Sequence, residues 1–328
     1  MSLSFSTVLI INLLTALLLT LVCAWVGILL ANRWGLIDVP GSAPHKKHAA
    51  PTPLAGGLAL LLVLSVLYLV FDFSATPEIR AIFASGAVVF AFGLLDDFRG
   101  VSPPVKLLGQ TLGFVVLAAL GVYIRIFESP EFFIYGQGGV YVLLDLALTF
   151  FWMVGITNAF NFVDSMDGLS VALAGIAAAF FMWATIDAGQ PALTQLSAVL
   201  MGVCLALYFF NAPPARLFLG DAGAQTLGFF LAALAIVYTP RAFSQTSSWF
   251  APMLFLGVPI FDAVLVVIAR LRERKPVYRS ARDHTFHRLV AAGLEPNRAV
   301  LLMHFGAFVL GCLAIAALDL PPFPANAI

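Results

Sequence analysis

Charge is scarce in this chain. Only 10% of its residues are Asp, Glu, Lys or Arg, against about 25% in a soluble globular domain. The 17 acidic and 17 basic residues cancel, so the overall charge calls for no nucleic-acid partner. Cysteine is nearly absent: Cys23, Cys204 and Cys312 stand singly inside apolar runs. That excludes a disulfide framework and a thiolate metal site. Internal repeats and low-complexity tracts are missing too, and the sequence reads as one integral membrane domain over residues 1–328. The first apolar run has no basic leader and is about twice the length of a signal-peptide core. It reads as a retained first span.

What the chain has instead is apolar length. Hydrophobic residues make up 61% of it, in runs long enough for transmembrane helices rather than barrel strands. The fold class expected is all-α and polytopic, with about ten spans, near 5–31, 54–73, 79–95, 105–124, 139–159, 168–187, 192–211, 223–240, 249–270 and 299–318. Ten spans put both termini on one side. Of the 17 Lys and Arg residues, all but Arg80, Arg125 and Arg241 follow odd-numbered spans. The positive-inside rule then predicts extracytoplasmic termini in a cell inner or plasma membrane, with odd-to-even loops in the cytoplasm.

Every polar cluster falls on that cytoplasmic side. Asp96-Asp97 ends the third span; adjacent carboxylates need a cation or a shared proton. Asn158, Asn161, Asp164 and Asp167 recur every three residues at the end of the fifth span, a spacing that drifts slowly around one helix face. Phe218-Leu219-Gly220-Asp221-Ala222-Gly223 is a tight turn whose glycines allow close backbone approach. The last loop holds His284, His287 and Arg288; the first holds His45, Lys46, Lys47 and His48. The His45/His48 pair admits a zinc reading that no cysteine supports. Asp262 lies deep in the ninth span beside Pro259 and is read as bracing the helix break that proline permits. Together the clusters describe a membrane-surface site where carboxylates hold Mg²⁺, cations neutralise a diphosphate and helices shelter a lipid tail.

In order and spacing these motifs resemble the polyprenyl-phosphate N-acetylhexosamine-1-phosphate transferase family. Gly93-Leu94-Leu95-Asp96-Asp97 is similar to its aspartate pair. Asn158, Asn161, Asp164, Asp167, Gly168 and Leu169 match its N-x-x-N-x-x-D-x-x-D-G-L motif. Phe218, Gly220, Asp221 and Gly223 match F-x-G-D-x-G, and His284, His287, Arg288 and Leu289 resemble its last-loop H-x-H-H-R-L. Lys46 and His48, followed by Pro53, Gly56 and Gly57, look more like the WecA and TagO branch than MraY. Three positions depart from the pattern: Ser165 replaces a Gly, Phe286 a His and His45 an Arg.

The resemblance implies transfer of a sugar-1-phosphate from a UDP-sugar to membrane polyprenyl (undecaprenyl) phosphate, with release of UMP. It implies Mg²⁺ or Mn²⁺ held by Asp221 with help from Asn161. It also implies a catalytic group of Asp96, Asp97, Asp164 and His287, and substrate contacts from Lys46, His48, Asn158, Asn161, Asp167, Phe218, His284 and Arg288. Phe218 would stack on uracil beside Asp167. Such an enzyme opens a cell-envelope glycan pathway, lipopolysaccharide, O-antigen or teichoic acid. The sugar, the lipid length and a homodimeric state stay open. An ion-coupled transporter, with Asp262 and Asp164 as coupling carboxylates, is the alternative from another class; such folds show repeats and midplane sites, and neither is visible here.

Overall fold

The computed structural model describes residues 4–40, 50–129, 136, 138–241, 250–274, 283–318 and 320. Helix α1 (Phe5–Trp34) starts at Ser4, whose hydroxyl accepts the Thr7 amide at 3.2 Å, and stops at Gly35 with φ +71°. Strands β1 (Ile37–Asp38) and β2 (Thr52–Pro53) form a short antiparallel ribbon. Then follow α2 (Gly56–Val70), a 3₁₀ turn (Phe73–Ala75), α3 (Pro77–Arg99), α4 (Pro103–Ala119), α5 (Gly139–Val163), α6 (Leu169–Asp187), α7 (Pro191–Asn211), α8 (Gly220–Val237), α9 (Phe250–Phe255), α10 (Gly257–Arg272), α11 (Thr285–Ala291) and α12 (Pro296–Leu318). Proline opens α3, α4 and α7, where its missing N–H is one of the unpaired first-turn donors anyway.

Seven of these helices, α1, α3, α5, α6, α7, α8 and α12, are long and apolar enough to cross a bilayer; α2 and α4 are shorter and equally apolar. Large apolar side chains such as Leu18, Trp25, Leu69 and Phe151 stay exposed around the outside, as a lipid-facing surface requires. The all-α polytopic expectation holds. The ninth expected span does not run unbroken: it divides at Leu256 into α9 and α10. Pro259, in the first turn of α10, cannot donate into a helix continuing from α9.

Helix α8 is the axis, largely buried and packed against α3, α5 and α2. Close approach is bought with small residues. A Cβ on Gly93 of α3 would lie 2.6 Å from the Ala222 Cα, and one on Gly57 of α2 would lie 2.7 Å from the Gly223 nitrogen. Along α1 the buried positions Asn12, Ala16, Thr20, Ala24, Gly27 and Ala31 form a stripe of small residues, which seats that helix on α7.

One buried carboxylate that the sequence reading passes over is structural. Asp145 in α5 is 0% exposed and accepts the backbone N–H groups of Ile126, Phe127 and Glu128 at 2.8, 3.0 and 3.1 Å. Each donor stranded in a buried place costs about 1–3 kcal/mol. Asp145→Ala should therefore lower the melting temperature in detergent by roughly 5–10 °C; an unchanged melt would show that this loop does not depend on the carboxylate.

Candidate active site

The site is built where α3 and α5 end and α4 and α8 begin. Backbone pairing sets its floor. Phe218 N–H donates to the Pro53 carbonyl at 2.9 Å, Gly56 N–H to Phe218 at 3.0 Å and Gly57 N–H to Leu219 at 2.9 Å. The first-loop glycine pair and the Phe218–Gly223 turn are thus two halves of one joint. Gly220 has φ +69°, a conformation side-chain-bearing residues rarely adopt. It lies against Asp97, which a Cβ there would strike at 2.5 Å.

Asp97 uses both oxygens on the first turn of α8, accepting the Asp221 N–H at 2.7 Å and the Ala222 N–H at 3.1 Å. It satisfies two of the unpaired donors at that helix start and so fixes where Asp221 stands. Asp96, its neighbour, turns elsewhere: Oδ1 accepts Val101 N–H at 2.7 Å and Oδ2 meets the Lys106 ammonium at 2.5 Å. The same ammonium also contacts Asp221 Oδ2. Lys106, from the first turn of α4, therefore sits between the carboxylates of α3 and α8.

Asp221 is further held by amides. Asn161 Nδ2 donates to its Oδ1 at 2.9 Å and Gln225 Nε2 approaches its Oδ2 at 3.4 Å. Behind them, Gln110 Nε2 donates to Gln225 Oε1 at 2.9 Å, and Asn158 Nδ2 donates to Gln110 Oε1 at 2.7 Å. Gln110 and Gln225 are both 2% exposed. Asn158, expected at the substrate, is engaged in this ladder instead and reaches Asp221 only through two glutamines.

The four-residue Asn/Asp repeat does not stay on one helix face. α5 ends at Val163; Asn158 and Asn161 ride on it, while Asp164 and Asp167 lie in the turn that Gly168, φ +76°, closes. The helix cannot continue because the Gly168 amide is taken by Asn211 Oδ1 at 3.0 Å and Asp167 Oδ2 accepts the Ala215 N–H at 3.0 Å. Burial first, then the charges of Asp221, Asp97 and Asp167, push the Asp164 carboxyl well above the ordinary carboxylate range.

The last loop arrives through α5. The His284 ring meets Phe162 edge-on at 6.2 Å, and the buried Arg270 guanidinium lies 5.8 Å from the other participant's ring centre, Phe162 again. His284 is held by Asp262, at 2.8 Å. Asp262 therefore does not brace the Pro259 break, as the sequence reading had it; its oxygens face the His284–Thr285 corner. His287 packs on Phe286, ring centres 3.9 Å apart, and Arg288 is exposed with Nε on the Asp283 carbonyl at 3.1 Å. Lys46 and His48, with the His45/His48 zinc reading, lie outside the described residues.

Among the described residues, no three His, Cys, Asp or Glu side chains converge as a ready-made metal cage. The oxygens of Asp221 and Asp96 do bracket one positive charge, that of Lys106. This set fits a hard cation that takes one or two carboxylates and completes its shell with water and phosphate, as Mg²⁺ does. Asn161 faces Asp221 through its N–H, so it orients that carboxylate here. The sequence counts Lys106 only among the basic residues that set orientation, and Gln110 and Gln225 carry no expected role. A lone lysine or glutamine in an apolar helix was the available signal, since polar groups at membrane depth rarely lack a partner.

Fold and site together define an integral membrane protein with an acidic, cation-bearing centre at one end of its bundle. Residues 79–239 match the family model described as glycosyl transferase family 4. The probable undecaprenyl-phosphate N-acetylglucosaminyl 1-phosphate transferase of Bacillus subtilis is 29% identical, over 93% of this chain and 83% of its own length. The decaprenyl-phosphate N-acetylglucosaminephosphotransferase of Mycobacterium leprae is 31% identical over 89% and 79%. The undecaprenyl-phosphate alpha-N-acetylglucosaminyl 1-phosphate transferase of Escherichia coli K12 is 26% identical over 88% and 78%. The chain belongs to the polyprenyl-phosphate N-acetylhexosamine-1-phosphate transferase family. The transporter alternative gains no support from these matches.

Proposed function

We propose that this protein transfers N-acetylglucosamine-1-phosphate from UDP-N-acetylglucosamine to polyprenyl phosphate at the cytoplasmic membrane face, as an early step in envelope glycan synthesis. The printed activities of the relatives support the sugar and the lipid, and the one-sided distribution of Lys and Arg supports the orientation. The observation that carries the reading is the Asp221 carboxylate, fixed at the start of α8 by Asp97 and flanked by Lys106 and Asn161.

In the reaction an oxygen of the lipid phosphate bonds to the sugar-linked phosphorus of the donor. The bond from that phosphorus to the UMP oxygen breaks, and UMP leaves with the electron pair. A phosphate monoester has its second pKa near 6, so at neutral pH the acceptor is mostly dianionic and no strong base is required. The chain's task is to gather anions and hold them in line. Lys106 neutralises phosphate charge, Asp97 keeps Asp221 in place, and Asp221, with Asp96 beside it, would hold Mg²⁺. Bound there, Mg²⁺ supplies charge stabilisation for the transferring phosphoryl group. Phe218 and Asp167 take the uracil end, and His284, His287 and Arg288 the diphosphate or sugar.

Purified protein given polyprenyl phosphate, Mg²⁺ and a panel of UDP-sugars should release UMP fastest from UDP-N-acetylglucosamine. Chelation should abolish release and Mg²⁺ or Mn²⁺ should restore it. Release from another sugar alone would overturn the sugar assignment; full activity in EDTA would overturn the metal.

A further inference from the structure

Asp262 stands in the second turn of α10 and is 1% exposed. A carboxylate so placed is costly unless its oxygens are engaged. Both are engaged by one corner of the chain. Oδ1 accepts the Thr285 N–H at 2.6 Å and Oδ2 meets His284 Nδ1 at 2.8 Å. His284 is itself only 7% exposed. Its ring lies between Phe162, edge-on at 6.2 Å, and Phe286, stacked at 6.0 Å with 16° between planes. Two turns along α10, on the same face, Arg270 pairs with Asp283 at 3.3 Å. One helix thus grips residues 283–285 at two points.

A carboxylate can only accept, so it draws the ring proton to Nδ1 in the neutral imidazole. Nε2 is then the nitrogen left for another partner, and it makes no hydrogen bond to a described residue. Phe162, which the ring touches, follows Asn161, and Asn161 contacts Asp221. Nε2 is therefore carried on a ring that packs against α5 one residue from Asn161 and cannot easily turn.

We propose that Asp262 is a positioning residue for the transfer reaction. It fixes the orientation of His284 and holds its Nδ1–H, so that Nε2, once it too carries a proton, donates to the diphosphate of the nucleotide-sugar donor. It also backs the positive charge the ring carries when it donates to that anion. This rests on the reading given under Proposed function. A mere brace for the loop would hold Thr285 equally well but would have no reason to engage the imidazole.

The test uses the full-length enzyme in detergent with three variants, Asp262→Asn, His284→Ala and the double variant. Asp262→Asn keeps the volume and one acceptor, so the melting temperature should stay near that of the parent. Its kcat/KM for the UDP-sugar should fall roughly ten- to a hundredfold, with KM for polyprenyl phosphate unmoved. In the His284→Ala background the same change should cost nothing more. Equal losses in both backgrounds, or equal damage to donor and acceptor kinetics with a lowered melt, would overturn the proposal in favour of a brace. Nitrogen chemical shifts of ¹⁵N-histidine at alkaline pH give a readout independent of turnover. The His284 signal should show a protonated Nδ1 in the parent and lose that preference in Asp262→Asn; a protonated Nε2 in the parent would sink the idea. If the parent released no UMP from any UDP-sugar, the functional reading would fail while the histidine spectrum still decided the Asp262 contact.

Discussion

Asp221→Asn is expected to lower kcat by roughly 10²–10³-fold, the scale of losing one preorganised electrostatic contact to a transition state. The asparagine has the same shape, but only one of its two terminal atoms can accept. In the parent, Oδ1 accepts from Asn161 and Oδ2 faces Lys106 and Gln225. The new amide N–H₂ must point at one of those donors, so the variant loses a charge and acquires a donor-to-donor clash. A cation there would lose its carboxylate, and that carboxylate is needed most as charge redistributes over the transferring phosphoryl group. Asp167→Asn should behave differently. Asp167 gives one oxygen to the Ala215 N–H at 3.0 Å, a bond the asparagine oxygen can keep. Losing a charge-assisted hydrogen bond beside the base costs about 1.5–3 kcal/mol, or roughly ten- to a hundredfold, and the base is remote from the reacting phosphorus. That loss should appear mainly in KM for the UDP-sugar. The two variants are to be compared at saturating lipid, with folding checked by thermal melt. If Asp167→Asn lost kcat as completely as Asp221→Asn with KM unmoved, Asp167 would belong to the catalytic centre.

The order of the helices was legible because bilayer length is written directly into apolar runs. Nine of the ten expected spans correspond to single helices, and the exception divides at Leu256, just before a proline that cannot donate across the break. The motifs were legible as clusters, though not as contacts. Asp96 and Asp97 look alike in sequence, yet one binds the lysine of α4 and the other caps α8, because adjacent residues on a helix point about 100° apart. The Asn/Asp repeat predicted one face and gave two environments, since Gly168 and Asn211 end the helix by a contact 43 residues away, which no local period encodes. Lys106, Gln110 and Gln225 escaped for the same reason. Each is a single polar residue in an apolar helix, and each has a partner 115 positions distant. Asp262 was visible as an oddity, but its partner His284 lies 22 positions on, in a loop read for its substrate contacts and not for its packing.

Lys106→Met should be nearly as damaging as the loss of Asp221. Methionine fills the space of the lysine stem without its charge, so packing in the first turn of α4 is largely kept. What disappears is the cation between Asp96 and Asp221. Two carboxylates, Asp96 buried and Asp221 partly so, then face one another with only amides to screen them, and like charges so placed are relieved by taking up a proton. A pair that holds a proton serves a divalent cation less well, and the donor's diphosphate brings further negative charge into the same space. One missing cation at such a centre costs several kcal/mol, so kcat should fall by about a hundredfold or more. Lys106→Arg keeps the charge but spreads it over a planar fork that cannot sit as a point between two oxygens; a smaller loss, of roughly tenfold, is expected. The measurement is UMP release at saturating UDP-sugar and lipid over a range of Mg²⁺. Excess Mg²⁺ should not restore Lys106→Met if the lysine charge adds to that of a bound cation and does not merely stand in for it. Full recovery at high Mg²⁺ would show instead that Lys106 only holds a place for the metal, and near-parental kcat at ordinary Mg²⁺ would remove it from the reaction altogether.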